Sequence, residues 1–376
     1  GLPDRGRVVE RGKAEYGQTL AEFFPAFPAY AKRVTIRHLL HHVAGFPEYD
    51  DLFLAAGMMD ADFPRSAKTP RSRFEPTAKD ALDILSRVPE LRFAPGDRYE
   101  YSNSGYVLLA QIVERAAGQS FSRFLRENLF LPLGMERSLL YDETRPAVRN
   151  RATSYSWRDG AWAETDYAPQ NAIYGEDNIY STLDDLIAWD RALDTGNLVS
   201  SATLREAFTP GRLNDGSAVP YGYGWEIRDI LGLRAVLHGG AWLGYRTFIL
   251  RFPAQRFTVI ILANLDRMPL EDLAVGIAKR GLEREMRFPV PVSLSREILI
   301  RYIGKYEIKP GHLVEVALEA DGLWLRLPEG KRRKLVAESE TTFFVEGSEE
   351  KRVVFTTDAG NAVRGFTAAG IRARKV

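Results

Sequence analysis

Apolar positions recur at helical spacing behind residues 101–103: Val107, Leu108, Ile112, Val113 and Ala116 fall on a helix that Gly118 stops. Pro95-Gly96 marks the turn in front of it. Val8 to Lys13 reads as a helix tail ending near Gly12. Thr35 is suited to cap a short helix that Gly45 closes. Ser181 or Thr182 caps an amphipathic helix with Asp185 in its first turn, and residues 271–279 form another. Between these two the period changes. Residues 221–227, 235–237, 245–252 and 257–264 are strand-like and separated by turn residues, which predicts an antiparallel sheet of successive hairpins. Residues 50–80, with Pro64, Pro70 and Pro76, read as loop-rich.

The tail has a different pattern. Pro289-Val-Pro-Val-Ser293 is a linker by composition. After Ile298 come short alternating strands at 313–318, 323–327, 342–345, 353–356 and 362–366, with Asp321-Gly322 and residues 358–361 as turns. Such a stretch closes into a small β-barrel or sandwich. The expected organisation is an α+β domain over residues 1–288, a linker over 289–297 and a β-domain over 298–376.

Composition narrows the class. Hydrophobic residues make up 45% and charged residues 27% of the 376, the mix of an ordinary globular protein. A net charge of +1 gives no reason to expect nucleic acid or an anionic membrane as partner. With no cysteine, disulfides, thiolate metal sites and cysteine nucleophiles are excluded. No apolar run reaches the roughly 18 residues of a membrane span. The chain opens at Gly1-Leu-Pro-Asp without Met or a signal peptide, so the expectation is that it is not the whole gene product.

Three places carry candidate chemistry. His38, His41 and His42 have the i, i+3, i+4 spacing of a metal pair. Leu39-Leu40 fill the place of the Glu in His-Glu-x-x-His, however, so no metal site is expected. Tyr101 and Asn103 lie two residues apart at the mouth of a rigid helix, where both can face one cleft, although a bare Tyr-x-Asn says little. In His238-Gly239-Gly240-Ala241, two glycines let a substrate approach the backbone, and an amide just beyond can donate to an oxyanion. Taken alone, that tetrapeptide reads more simply as a turn. Tyr155, Trp157, Trp162 and Tyr167 could line a cleft, but packing over a core is the commoner use.

Together the pieces point further. Pro95-Gly96, the spacer at 97–100, Tyr-Ser-Asn-Ser-Gly-Tyr at 101–106, the apolar helix and Leu131-Pro-Leu-Gly-Met135 resemble the class C β-lactamase and penicillin-binding-protein-like serine hydrolases. That superfamily also holds esterases and D-amino-acid peptidases. Residues 35–45 are similar to a structural stretch of the family, as are residues 175–186, with Asn178 where Gly is usual. His238-Gly239-Gly240 is similar to its third motif, and residues 298–376 to an appended lipocalin-like β-domain.

The resemblance implies a β-lactamase/transpeptidase-like fold, an antiparallel sheet flanked by helices, plus a small C-terminal β-barrel. It implies an acyl-enzyme mechanism. Tyr101, its pKa lowered by a nearby Lys, is then the general base, and Asn103 orients the substrate amide or that Lys. His238 contacts Tyr101 and the polar end of the substrate. Gly239, Gly240 and Ala241 form the substrate-facing strand, with the Ala241 amide in the oxyanion hole. No metal or organic cofactor is implied, and the partner is a small-molecule or peptide substrate. His238 in place of the Lys of true class C enzymes shifts the expectation from a β-lactam toward an ester or a D-amino-acid peptide. By the same resemblance the location is periplasmic or secreted.

The family's first motif, Ser-x-x-Lys, is absent where it is expected, because no Ser precedes Ser66. Ser348-Glu-Glu-Lys351 follows the other motifs and reads as a hairpin tip. Two readings stand. The nucleophile and the first strands of the sheet lie outside these residues, or the chain is a non-catalytic relative that binds a peptide or cell-wall-like ligand in the same cleft.

Overall fold

The structure, a computed structural model, describes residues 9–58, 74–196, 198–368 and 370–376. They fall into two compact units, one drawn from 1–228 and 234–278, the other from 229–233 and 279–376.

In the first unit, the helices that matter for the site are α1 (Ile36–Leu40), α2 (Tyr49–Ala55), α3 (Ala78–Ser86), α4 (Asn103–Ala117), α5 (Leu183–Thr195) and α6 (Leu270–Gly281). Helix α4 is the axis. Ser102 caps it through a side chain that accepts the Gly105 amide, and Gly118 ends it in left-handed backbone at φ 69°. Val107, Leu108, Leu109, Ile112 and Val113 are all buried, each worth about 1.5–3 kcal/mol. Burial is nearly continuous from Ser104 to Val113, so α4 is an interior helix with more than one apolar face.

One local expectation here is corrected. The pattern predicts closure of α1 at Gly45, but α1 ends at Leu40 and His42 takes left-handed backbone at φ 57°. Gly45 (φ 85°) serves a close approach instead: a Cβ there would fall 2.5 Å from the Phe93 carbonyl oxygen. Helices α2 and α3 occupy the ends of the loop-rich stretch 50–80, whose Pro64 and Pro70 lie outside the described residues. Thr77 opens α3 with a capping box completed by Asp80.

A hairpin of β1 (Tyr155–Arg158) and β2 (Ala161–Glu164) precedes the main sheet. The sheet comprises β3 (Glu226–Ile230), β4 (Leu233–Trp242), β5 (Tyr245–Phe252) and β6 (Phe257–Ala263), in the order β6-β5-β4-β3. The predicted succession of hairpins is present. The strand expected at 221–227 begins only at Glu226, because a Cβ on Gly222 would meet the Ala207 carbonyl oxygen at 2.0 Å and Gly224 has φ 76°. Strand β4 has ten residues against five in β3, and Leu231-Gly232 alone joins them, so His238 to Trp242 run past the end of β3. His238 lies opposite Ile249 and Gly240 opposite Thr247, so these four share one face of the sheet.

The second unit holds a closed eight-stranded barrel. Its strands are β7 (Gly304–Lys309), β8 (His312–Glu319), β9 (Gly322–Arg326), β10 (Arg332–Ala337), β11 (Thr342–Val345), β12 (Ser348–Thr357), β13 (Val363–Ala368) and β14 (Ile371–Lys375). Each pairs with the next and β7 pairs with β14, which removes every free edge. Tyr302, Tyr306, Phe343, Phe355 and Phe366 fill the interior with tilted and edge-to-face ring pairs. Ser348 starts β12, and the hairpin tip before it is made by Gly347 at φ 77°.

Candidate active site

Three successive residues at the start of α4 are tied to the segment between α1 and α2. The Ser102 amide donates to His42 Nδ1 at 3.0 Å, and the Asn103 amide to both carboxylate oxygens of Glu48 at 3.1 Å. Ser104 Oγ donates to the Pro47 carbonyl at 2.7 Å and accepts the Tyr49 amide at 2.8 Å. A carboxylate at this position also meets the positive end of the α4 dipole. Burial pushes the Glu48 carboxyl up, against the pull of its bonds from Ser102, Asn103 and Ser104.

This anchoring holds Tyr101 against a wall of rings. His42 lies 4.1 Å from Tyr101 and 4.7 Å from Tyr106, centroid to centroid, and Tyr221 meets it edge-on at 4.5 Å. Tyr101 keeps 45% of its surface open. Burial of the rest pushes its phenol up, followed by Tyr106, Tyr99, Glu176 and Glu48. Water on the open side limits the rise. The neighbours that act on Tyr101 here, Tyr106, Tyr99, Glu176 and Glu48, all disfavour a phenolate; the lysine expected to lower it belongs to the Ser-x-x-Lys motif, which is not among these 376 residues at the expected place.

His238 comes to Tyr101 from β4, with ring centroids 6.2 Å apart. The two share a wall without a hydrogen bond between them, because the imidazole is engaged elsewhere. Nδ1 lies 2.7 Å from the Gly239 carbonyl oxygen and Nε2 lies 2.9 Å from the Tyr221 hydroxyl. Gly239, Gly240 and Ala241 are exposed along the stretch that outruns β3. A Cβ on Gly240 would fall 2.2 Å from Thr247 Oγ1, so the glycine keeps this surface low. Asn103 is half-buried in the first turn of α4. Tyr101, Asn103 and the His238–Ala241 stretch are thus brought to one region of the first unit.

Each histidine of the 38–42 stretch has a structural task. His38 Nδ1 accepts the Thr35 amide at 3.1 Å, His41 Nδ1 donates to the Tyr221 carbonyl at 2.9 Å, and His42 accepts Ser102. They form no metal set: among the described residues no three His, Cys, Asp or Glu are grouped to hold an ion.

Sequence reasoning missed Tyr221, Glu48 and Glu176. Gly175, at φ 122°, presses its loop onto α4, where a Cβ would meet the Tyr106 carbonyl oxygen at 2.5 Å. Glu176 is thereby drawn inward, and its Oε1 accepts the Tyr49 hydroxyl at 2.6 Å. Burial raises the Glu176 carboxyl to about 7 and that of Asp50 to about 6, and pushes Asp177 well up. The one signal in the sequence was the pair of acids between Gly175 and Asn178.

The Beta-lactamase family profile matches residues 6–280, and the profile described as Domain of unknown function (DUF3471) matches residues 289–374. Penicillin-binding protein 4* of Bacillus subtilis (strain 168) is 30% identical over 359 residues, covering 90% of this chain and 76% of that protein. A D-aminopeptidase of Gluconobacter oxydans (strain 621H) is 31% identical over 189 residues, half of this chain but only 35% of that protein's length. The structure of the octameric penicillin-binding protein homologue from Pyrococcus abyssi superposes with a TM-score of 0.63 at 23% identity, over 100% of this chain and 85% of that one, which shows a shared fold. No helix among the described residues is long and apolar enough to cross a membrane. The chain belongs to the beta-lactamase family of serine hydrolases, with relatives named penicillin-binding protein and D-aminopeptidase, and carries an eight-stranded barrel behind the family domain.

Proposed function

We propose that residues 1–288 carry the second and third motifs of a hydrolase that works through an acyl-enzyme on amides or esters. A D-amino-acid peptide or small acyl ester suits the site better than a β-lactam. The observation behind this reading is the convergence of Tyr101 and His238, remote in sequence, at a centroid distance of 6.2 Å beside an exposed glycine strand. In this reading Tyr101 relays the proton between nucleophile and leaving group, and Asn103 orients the reacting amide. Gly239 and Gly240 admit the substrate backbone, and the Ala241 amide donates to the oxyanion. Both nitrogens of His238 are occupied, by the Gly239 carbonyl and the Tyr221 hydroxyl, which supports an uncharged acyl partner.

The attacking hydroxyl is the open element. No Ser-x-x-Lys precedes Tyr101 in the 376 residues. The second reading is a relative that binds a peptide or cell-wall-like ligand in the same cleft without turning it over. Fluorophosphonate treatment of the protein in its natural form, followed by intact mass, separates the two. A single adduct supports the hydrolase. Absence of an adduct, together with saturable binding of a D-amino-acid peptide, supports the binder and sinks catalysis.

A further inference from the structure

We propose that Tyr221 is a positioning residue of this site: by donating its hydroxyl proton to His238 Nε2 at 2.9 Å, it fixes the neutral, Nδ1-protonated imidazole. This deepens the reading above, from which it takes only the identity of the site.

The partners decide the protons. Nδ1 of His238 lies 2.7 Å from the Gly239 carbonyl oxygen, which can only accept, so this contact is made only when Nδ1 carries a proton. In a neutral ring Nε2 then offers a lone pair, and the Tyr221 hydroxyl is the donor to it. A cationic ring would instead drive an Nε2 proton at the same oxygen and force Tyr221 to turn its own proton away. Burial disfavours that cation, against smaller opposing effects of the Gly239 carbonyl and of Glu226. Tyr221 also keeps the proton that it donates. Burial first, then Tyr106 and Tyr101, push its phenol well above the ordinary range, and a hydrogen bond with the Tyr106 hydroxyl adds to the rise.

The direction of control follows from which partner is rigid. Tyr221 is 1% exposed, whereas His238 stands at the start of an exposed stretch. The Tyr221 carbonyl accepts His41 Nδ1 at 2.9 Å and the Gly211 amide at 3.0 Å, and its own amide donates to the Val219 carbonyl at 2.7 Å. Its ring is held edge-on by His42 at 4.5 Å, with Tyr99 at 6.3 Å. A tyrosine fixed at both backbone and ring dictates where the imidazole points. The consequence for chemistry is selective. A ring held neutral, with its lone pair turned to Tyr221, offers no cation to a substrate carboxylate, and the site is left to amides and esters lacking one.

The test needs neither turnover nor ligand, so it fails or succeeds independently of the hydrolase reading. The 376-residue chain is labelled with nitrogen-15 histidine, and long-range proton–nitrogen correlations are recorded near pH 7.5. The chain has five histidines, and His238 is assigned by the signals lost in His238→Gln. The expected wild-type pattern is protonated Nδ1 with bare Nε2, the tautomer that free histidine in water disfavours. In Tyr221→Phe the His238 signals should move toward the Nε2-protonated tautomer and titrate at higher pH, while the other four histidines stay in place. An Nε2-protonated or cationic His238 in the wild type would overturn the proposal without any variant. Unchanged His238 signals in a folded Tyr221→Phe protein would overturn it equally.

Discussion

Gly240 and Thr247 face each other across β4 and β5 so closely that a Cβ at 240 would stand 2.2 Å from Thr247 Oγ1 but 3.6 Å from Thr247 Cβ. Only the hydroxyl is in the way. Gly240→Ala should therefore force Thr247 from its rotamer and destabilise the first unit by about 1–3 kcal/mol. In Gly240→Ala/Thr247→Ala most of that loss should return. A double-mutant cycle by urea unfolding reads the coupling. Additive losses would show that some other contact requires the glycine.

Glu176 gives the first unit a pH dependence of predictable sign. Its carboxyl rises from 4.5 to about 7 on folding, chiefly through burial. The folded state thus holds the proton more tightly than the unfolded one. Its stabilising contribution is complete below about pH 4.5 and is lost as pH rises toward 7. Asp50, raised from 3.8 to about 6, acts in the same direction over a lower window. Glu176→Gln keeps an oxygen for the Tyr49 hydroxyl and removes the charge. The variant should melt a few degrees higher than wild type at pH 8 and match it near pH 4.5. Parallel melting curves for the two proteins across this range would refute the assignment.

What could be read from the sequence was whatever local chemistry decides. Ser102 and Gly118 bracket α4 by capping rules that act within a turn, and the four hairpin strands and five of the barrel's eight strands follow from alternation between turn residues. Tyr101, Asn103 and His238 were visible because they sit in short motifs. Tyr221 and Glu176 were not. Tyr221 acquires its partner His238 from 17 positions away, and Glu176 its partner Tyr49 from 127. Periodicity carries no record of such pairings. Helix α2 was hidden for a related reason: with seven residues it is too short to show a period, and the burial of Tyr49 and Phe53 holds it.

Arg251 is a buried cation whose value depends on its partners. It is 1% exposed, with Nε 2.5 Å from Asp190 Oδ1 and Nη2 2.7 Å from Asp194 Oδ1, and both aspartates lie on α5. Thr258 Oγ1 adds a bond to Asp190 at 3.1 Å. Arg251→Met leaves two carboxylates facing an apolar side chain and should cost about 3 kcal/mol, with the part owed to the half-open Asp194 screened by water. Neutralising the pair in Arg251→Met/Asp190→Asn/Asp194→Asn should restore more than half of the loss. Chemical unfolding at low and moderate salt measures both. A single variant as stable as wild type would mean that α5 is held to the sheet by its apolar residues alone.

Two glycines that look alike in sequence should respond oppositely to alanine. Gly365 lies in β13 opposite Arg374, and a Cβ there would sit 2.2 Å from the Ala373 carbonyl oxygen and 3.3 Å from its carbon. That obstacle is backbone of β14, which no rotamer change can relieve. Gly365→Ala must push β14 off β13 and disturb Phe366, a core ring at the next position, so a loss above about 3 kcal/mol is expected. Gly276 lies within α6 with nothing inside 4 Å of the corresponding Cβ position. There the alanine meets open space and restricts only the unfolded chain, so Gly276→Ala should stabilise by about 0.5–1 kcal/mol. Hydrogen exchange localises each effect: faster exchange across β13 and β14 for the first, slower exchange in α6 for the second. A Gly365→Ala protein with unaltered protection in those strands would show that the barrel can widen at this seam, and the packing account of its closure would fail.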